Sequence, residues 1–150
     1  MLKEGEEMND ELKNRIMPAV KLLSEVIEKK VNSELKENDI TVSQLRVLGV
    51  VAKNSTGDVS LKEIEGALHT AQATIAGIVS RLESKKLVVG FFEPNDKRIK
   101  KVKLTERGKE LIEKTKGKVL DMEATLSSNF SEYEKEELIR LLGKMYDAIK

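Results

Sequence analysis

The chain is predicted to be mostly α-helical with one small β-hairpin, an α+β arrangement, and three observations carry that expectation. Apolar residues recur at spacings of three and four over most of the 150 residues, as in helices with one buried face. Hydroxyl residues followed three positions later by Gln or Glu punctuate the pattern at Thr41 and Gln44, Ser60 and Glu63, and Ser131 and Glu134, the pairing that caps helix N-termini. Only around residues 87–104 does the period become that of strands.

Ile16, Val20, Leu23, Ile27 and Val31 mark one long amphipathic helix over about 10–36, with Pro18 either kinking it or setting a late start. A second helix opens at Thr41, carries Leu45, Leu48, Val51 and Ala52 inward and stops near Asn54, before Thr56 and Gly57. A third opens at Ser60, lasts about two turns and buries Leu61, Ile64, Ala67 and Leu68. After a break at His69 and Thr70, with Thr70 as N-cap, a fourth carries Ile75, Ile78, Val79 and Leu82 on one face. The run Leu87 to Phe92 and the alternation of Val102 and Leu104 with Lys101 and Lys103 imply two strands, joined by a turn over Glu93, Pro94, Asn95, Asp96 and Lys97. Thr105 caps a long helix with Leu111, Thr115, Val119, Met122 and Leu126 along one side, reaching about Phe130. Ser131 opens the last helix, which buries Leu138, Leu141, Leu142, Met145 and Ile149. The long helices have more apolar face than the small central unit can cover, so self-association is expected.

Composition excludes several classes of chemistry. The chain has no cysteine and a single histidine, His69, so thiolate metal sites, disulfides, cysteine nucleophiles and multi-histidine zinc sites are ruled out. No catalytic motif or phosphate-cradling glycine loop occurs, so an enzyme is not expected, and no cofactor is implied. Charged residues make up 35% with a net charge of +1, unlike a disordered chain. The acidic N-terminus lacks the apolar stretch of a signal peptide, and the longest apolar runs, 47–52 and 87–92, are too short to span a bilayer. The expectation is a cytoplasmic protein without membrane contact.

The near-neutral total conceals a pattern. Residues 1–59 carry a net −2, residues 60–105 a net +4 and residues 106–150 a net −1. The excess is concentrated in Lys97, Arg98, Lys100, Lys101 and Lys103, five basic residues in seven without an acid, which suits a phosphate backbone and also suits a lysine-protected edge strand. Helix, short break, helix and hairpin in that order is a winged helix-turn-helix, whose second helix enters the major groove while the hairpin reaches the flanking DNA. Opposite its apolar face that helix shows Gln72, Ala73, Ala76, Gly77 and Ser80. Small residues permit close approach, Gln72 suits the adenine edge, and the methyls of Ala73, Thr74 and Ala76 suit thymine.

The run Asn95, Asp96, Lys97, Arg98, followed by Val102, Lys103, Leu104, Thr105 and Gly108, resembles the wing signature of the MarR family of winged-helix transcriptional regulators, and Ser80 to Val88 resembles the end of that family's recognition helix. The resemblance implies a homodimer built through the N-terminal and two C-terminal helices, each winged unit reading half of a pseudo-palindromic operator, more often as repressor than activator. It places the groove-reading helix on about Thr70 to Arg81, the minor-groove arginine on Arg98 and the bracing aspartate on Asp96. It also implies, for many members, release by small anionic aromatic molecules bound between the DNA-binding and dimerisation parts. The chain departs from the family in having Gly77 and Gly90 where basic residues are common, and Lys86 where glycine is usual.

Three segments follow: a dimerisation helix over 1–37, a winged DNA-binding unit over 38–105, and C-terminal dimerisation helices over 106–150. The expected function is a dimeric regulator binding double-stranded DNA through Thr70, Gln72, Ala73, Thr74, Ala76, Ser80 and Arg81 on the helix and Lys97, Arg98, Lys100 and Lys101 on the wing. The competing expectation, suggested by the uncharged helix face, is a protein-interaction module that keeps the winged fold without an operator.

Overall fold

The computed structural model of the chain describes residues 14–54 and 56–150, which fall into two compact units, one running to Lys116 and the other from Gly117 to Lys150. The acidic N-terminal segment and the start expected near residue 10 lie outside the described residues. Helix α1 (Ile16–Leu35) starts after Arg15, so Pro18 sits in its first turn, where a missing N–H leaves no hydrogen bond broken. The late start is the reading of Pro18 that the structure adopts. A 3₁₀ turn over Lys36–Asn38 ends in left-handed Asp39 and leads to α2 (Val42–Lys53), whose capping box has both of its bonds, from Gln44 N to Thr41 Oγ1 and from Thr41 N to Gln44 Oε1.

Helix α2 buries Leu48 and Val51 as expected, but Gln44 and Val47 complete the stripe in place of Leu45 and Ala52. Gln44, Val47, Leu48 and Val51 are buried, while Ala52 is exposed and Leu45 only half-buried. The reason lies in Gln44, whose amide oxygen also accepts from Lys85 Nζ at 3.1 Å; once that side chain is held inside, positions three, four and seven residues on follow it. A strand that the sequence did not announce, β1 (Asp58–Ser60), precedes α3 (Leu61–Leu68), which carries the Ser60–Glu63 box. In α3 only Ile64 is fully buried, and Ala67 is exposed, because eight residues present too short a face to cover both turns.

His69 closes α3 in the left-handed conformation, φ 50°, its N–H donating to Glu65 O. Helix α4 (Gln72–Ser84) is capped by Ala71 without a side-chain bond. Thr70 is therefore not the N-cap: its hydroxyl donates to Leu68 O at 3.1 Å, a local bond that competes with capping. Ile75, Val79 and Leu82 are buried. The helix ends in a Schellman arrangement, with Leu87 N bonding Leu82 O and Lys86 N bonding Glu83 O, and Lys86 takes φ 61°, the position that ordinarily selects glycine.

Strands β2 (Val88–Glu93) and β3 (Asp96–Leu104) form the hairpin around Pro94 and Asn95, a tighter turn than expected, with Asp96 and Lys97 already in β3. Strand β3 is central in an antiparallel sheet of order β1-β3-β2; Val59 lies opposite Val102, Gly90 opposite Val102 on the other side, and Phe92 opposite Lys100. Val47, Leu48, Val59, Ile64, Ile75, Val79, Leu82, Val88 and Val102 form the buried centre of the first unit.

Thr105 caps α5 (Glu106–Leu126) by accepting from Gly108 N at 3.0 Å. Gly108 is glycine for lack of room, since a Cβ there would lie 2.3 Å from Leu87 O. Helix α6 (Glu132–Ile149) carries the third capping box and buries no residue. Leu138, Leu141, Leu142 and Ile149, expected inside, are exposed along the single chain, as are Ile16, Val20, Leu23 and Val26 on α1.

Candidate nucleic-acid interface

The capped two-turn α3 and the turn at His69 set α4 against the core through Ile75, Val79 and Leu82, which leaves its opposite face free. Gln72, Ala73, Thr74, Ala76, Gly77, Ser80 and Arg81 are all exposed there, and Thr70 at the turn is half-buried. A Cβ added at Gly77 would meet nothing within 4 Å, so that part of the face is open. Among the described residues, no hydrogen bond or ion pair within the chain occupies the side chains of Gln72, Thr74 or Arg81. Gln72 is the first helical residue, where the positive end of the helix dipole favours a phosphate.

The hairpin tip has a defined geometry. Arg98 Nε and Nη2 donate to Asp96 Oδ1 and Oδ2, each at 3.0 Å, and the Arg98 backbone N–H donates to Oδ1 at 3.0 Å. Even so, the Arg98 side chain remains 91% exposed. The guanidinium, and after it the backbone N–H, hold the Asp96 carboxyl below its usual range, and Asp96 in turn raises Arg98. Two of five guanidinium N–H donors are used by the brace, and the planar group is oriented with the others outward. An oriented guanidinium suits a narrow, negatively charged minor groove.

The basic run divides when its neighbours in space are counted. Lys97 and Lys103 are exposed. Lys100 Nζ lies 2.6 Å from Glu83 Oε1 on α4. Lys101 Nζ lies 2.9 Å from Glu93 Oε2 on β2 and 3.6 Å from Asp58 Oδ1 on β1, and the Glu93 hydrogen bond foremost, with Asp58, raises its pKa. The heptapeptide has no acid of its own, but three other elements bring one each, a pairing that only the sheet register reveals. Lys101 thus ties all three strands together across one face.

Glu83 and Gly90 are the residues here that sequence reasoning passed over as functional; a glycine inside a strand signals close approach but does not say of what. A separate cleft of about 550 Å3 opens where Asp39, Lys85, Lys86, Arg107, Glu110 and Lys114 converge, four cations against two acids. Among the described residues no group of acidic or histidine side chains is placed to hold a metal ion, and no helix is long and apolar enough to cross a membrane.

Comparison with known proteins places this geometry in context. A family model described as the MarR family matches residues 38–99. The Uncharacterized HTH-type transcriptional regulator YhbI of Bacillus subtilis is 28% identical over 111 residues, 74% of this chain and 71% of that protein. The HTH-type transcriptional regulator FarR of Neisseria gonorrhoeae is 33% identical over 79 residues, 53% of either chain. Among solved structures, the S. aureus MepR–DNA complex matches with a TM-score of 0.85 at 29% identity, covering 91% of this chain and 100% of that one. A mutant MarR from E. coli complexed with operator DNA matches with a TM-score of 0.76 at 27% identity, covering 84% and 89%.

Proposed function

We propose that the chain is a MarR-family DNA-binding transcriptional regulator that acts as a homodimeric repressor in the cytoplasm, reading a pseudo-palindromic operator. In this reading α4 lies in the major groove and the wing tip in the adjoining minor groove. The observation that carries it is Arg98, held by Asp96 yet 91% exposed, on the same unit as an α4 face whose side chains of Gln72, Thr74 and Arg81 have no partner among the described residues. Gln72, Ala73, Thr74, Ala76, Ser80 and Arg81 contact the major groove, and Lys97 and Arg98 the wing side. Lys100, ion-paired to Glu83 on α4, and Lys101, ion-paired within the sheet, add little to phosphate binding. The matched MepR and MarR structures are DNA complexes, which supports the assignment.

Dimerisation is supported by the exposed apolar faces of α1 and α6, on which Leu23, Val26, Leu138 and Leu142 are between 42% and 52% exposed, more than an isolated chain ordinarily leaves in contiguous stripes. A two-fold dimer would set two recognition helices about 34–36 Å apart, one turn of DNA. The cationic cleft beside the end of α4 supports control by a small anionic ligand, since an anion there would bear on the residues that terminate the recognition helix. The α4 face, whose one charge is Arg81 at its C-terminal end, favours a second reading, a protein-interaction module.

Selection from randomised duplex DNA at about physiological salt separates the two. Enrichment of an inverted repeat with half-sites one turn apart is the expected result. No enrichment by a folded dimer, with or without anionic aromatic compounds, would favour the protein-interaction module.

A further inference from the structure

Gly90 carries a β2 backbone that any residue could adopt: it pairs in register with Val102 and is not among the positive-φ glycines. What it lacks is room, because a Cβ there would lie 2.5 Å from Glu83 Oε1, 3.0 Å from Glu83 Cδ and 2.9 Å from Lys100 Cε. The space left by the absent side chain is filled by the ion pair between α4 and β3, Lys100 Nζ to Glu83 Oε1 at 2.6 Å, with the two side chains only 31% and 33% exposed. Glu83 Oε1 is itself shielded from solvent and accepts no well-angled hydrogen bond. The ammonium is what compensates it, and a shielded carboxylate oxygen without compensation is costly.

We propose that Glu83 and Lys100, seated over Gly90, are a positioning pair that locks the wing to the recognition helix and so sets where Arg98 stands relative to Gln72. Lys100 lies two residues from Arg98 on β3, and Glu83 lies in the last turn of α4, so the pair ties the two DNA-reading elements directly to one another. Nearer the tip the ladder is irregular, with a register shift between Phe92 and Glu93; Lys101 bonds Glu93 within the hairpin there, whereas the pair over Gly90 joins the hairpin to α4. Lys100 then serves DNA binding through Arg98 and makes no phosphate contact of its own.

The inference deepens the operator-binding reading and rests on it, but it has one consequence in the free protein and another on DNA. In the free 150-residue chain, Lys100→Met, Glu83→Gln and Gly90→Ala should each speed amide exchange over residues 96–100 while leaving that of α2 and α3 unchanged. Unaltered exchange in all three would overturn the proposal whether or not an operator exists. On the duplex enriched by selection, Lys100→Met should weaken binding roughly three- to tenfold with the salt dependence unchanged. Loss of a phosphate contact would instead lower the salt slope by about one.

Glu83→Gln gives the sharper contrast. Removing an acid near DNA on electrostatic grounds alone strengthens binding, whereas loss of the lock weakens it. The reversed pair, Glu83→Lys with Lys100→Glu, should recover most of the affinity lost in either single reversal. A lowered salt slope in Lys100→Met, tighter binding by Glu83→Gln, or failure of the reversed pair to recover would overturn the assignment. Should the wild-type chain enrich no duplex while the exchange result holds, the operator reading fails and the lock stands as a structural element.

Discussion

Helices α4 and α6 carry the same kind of sequence pattern and meet opposite fates. Both have apolar residues at positions three, four and seven apart, yet Ile75, Val79 and Leu82 of α4 are 0% exposed while Leu138, Leu141 and Leu142 of α6 are 42–47% exposed. The first packs on α2, α3 and the sheet; the second buries nothing, although its capping box is complete. Hydrophobic periodicity therefore reports that a face must be covered and is silent about what covers it. One face makes the core of the winged unit, and the other stands exposed, as the proposed dimer requires.

The contrast can be broken at either end. Ile75→Ala removes atoms from a filled core and should cost roughly 2–5 kcal/mol of unfolding free energy, measured by chemical denaturation. Paired substitutions Leu138→Glu and Leu142→Glu should leave the winged unit folded but convert dimer to monomer in sedimentation, with operator affinity falling at least about a hundredfold because the second half-site is no longer tethered. A stability loss as large as that of Ile75→Ala, with assembly unchanged, would mean that the α6 face packs within its own chain.

Between these lies the wing. Arg98→Ala should weaken operator binding roughly ten- to a hundredfold without affecting the fold, as checked by titration at fixed salt. The brace has its own signature in pH. Asp96 has a depressed pKa in the folded chain, so its contribution is complete above the unfolded carboxylate pKa and is lost as pH falls through the lower folded value. No change from this pair is expected between about pH 8 and pH 5, and the Asp96 carboxyl carbon followed by NMR should titrate below an ordinary aspartate; titration at or above it would remove the brace. The smallest effect is at Lys86, whose φ of 61° is strained for a residue with a Cβ but not for glycine: Lys86→Gly should stabilise the first unit by about 0.5–1 kcal/mol in thermal unfolding.

What could be read from the sequence was what depends on near neighbours. Each capping box joins residues three apart, so Thr41 with Gln44, Ser60 with Glu63 and Ser131 with Glu134 were all legible, as was the hairpin from its change of period. Thr70 misled because a threonine hydroxyl has a competing local acceptor, the Leu68 carbonyl. Strand β1 is three residues long and is defined by its pairing with β3, not by any pattern of its own. The same holds for the candidate site: the Asp96–Arg98 pair, which the family resemblance implied, spans only two residues, while the partners of Lys100 and Lys101 arrive from α4, β2 and β1 and depend on the fold.

The account stands most directly on a hydroxyl-radical footprint of the purified chain on the duplex that it selects. It predicts two protected segments related by two-fold symmetry, their centres one helical turn apart, each with minor-groove protection that disappears in Arg98→Ala. A single unsymmetrical segment, or protection indifferent to Arg98, would contradict a dimer that reads two half-sites with helix and wing.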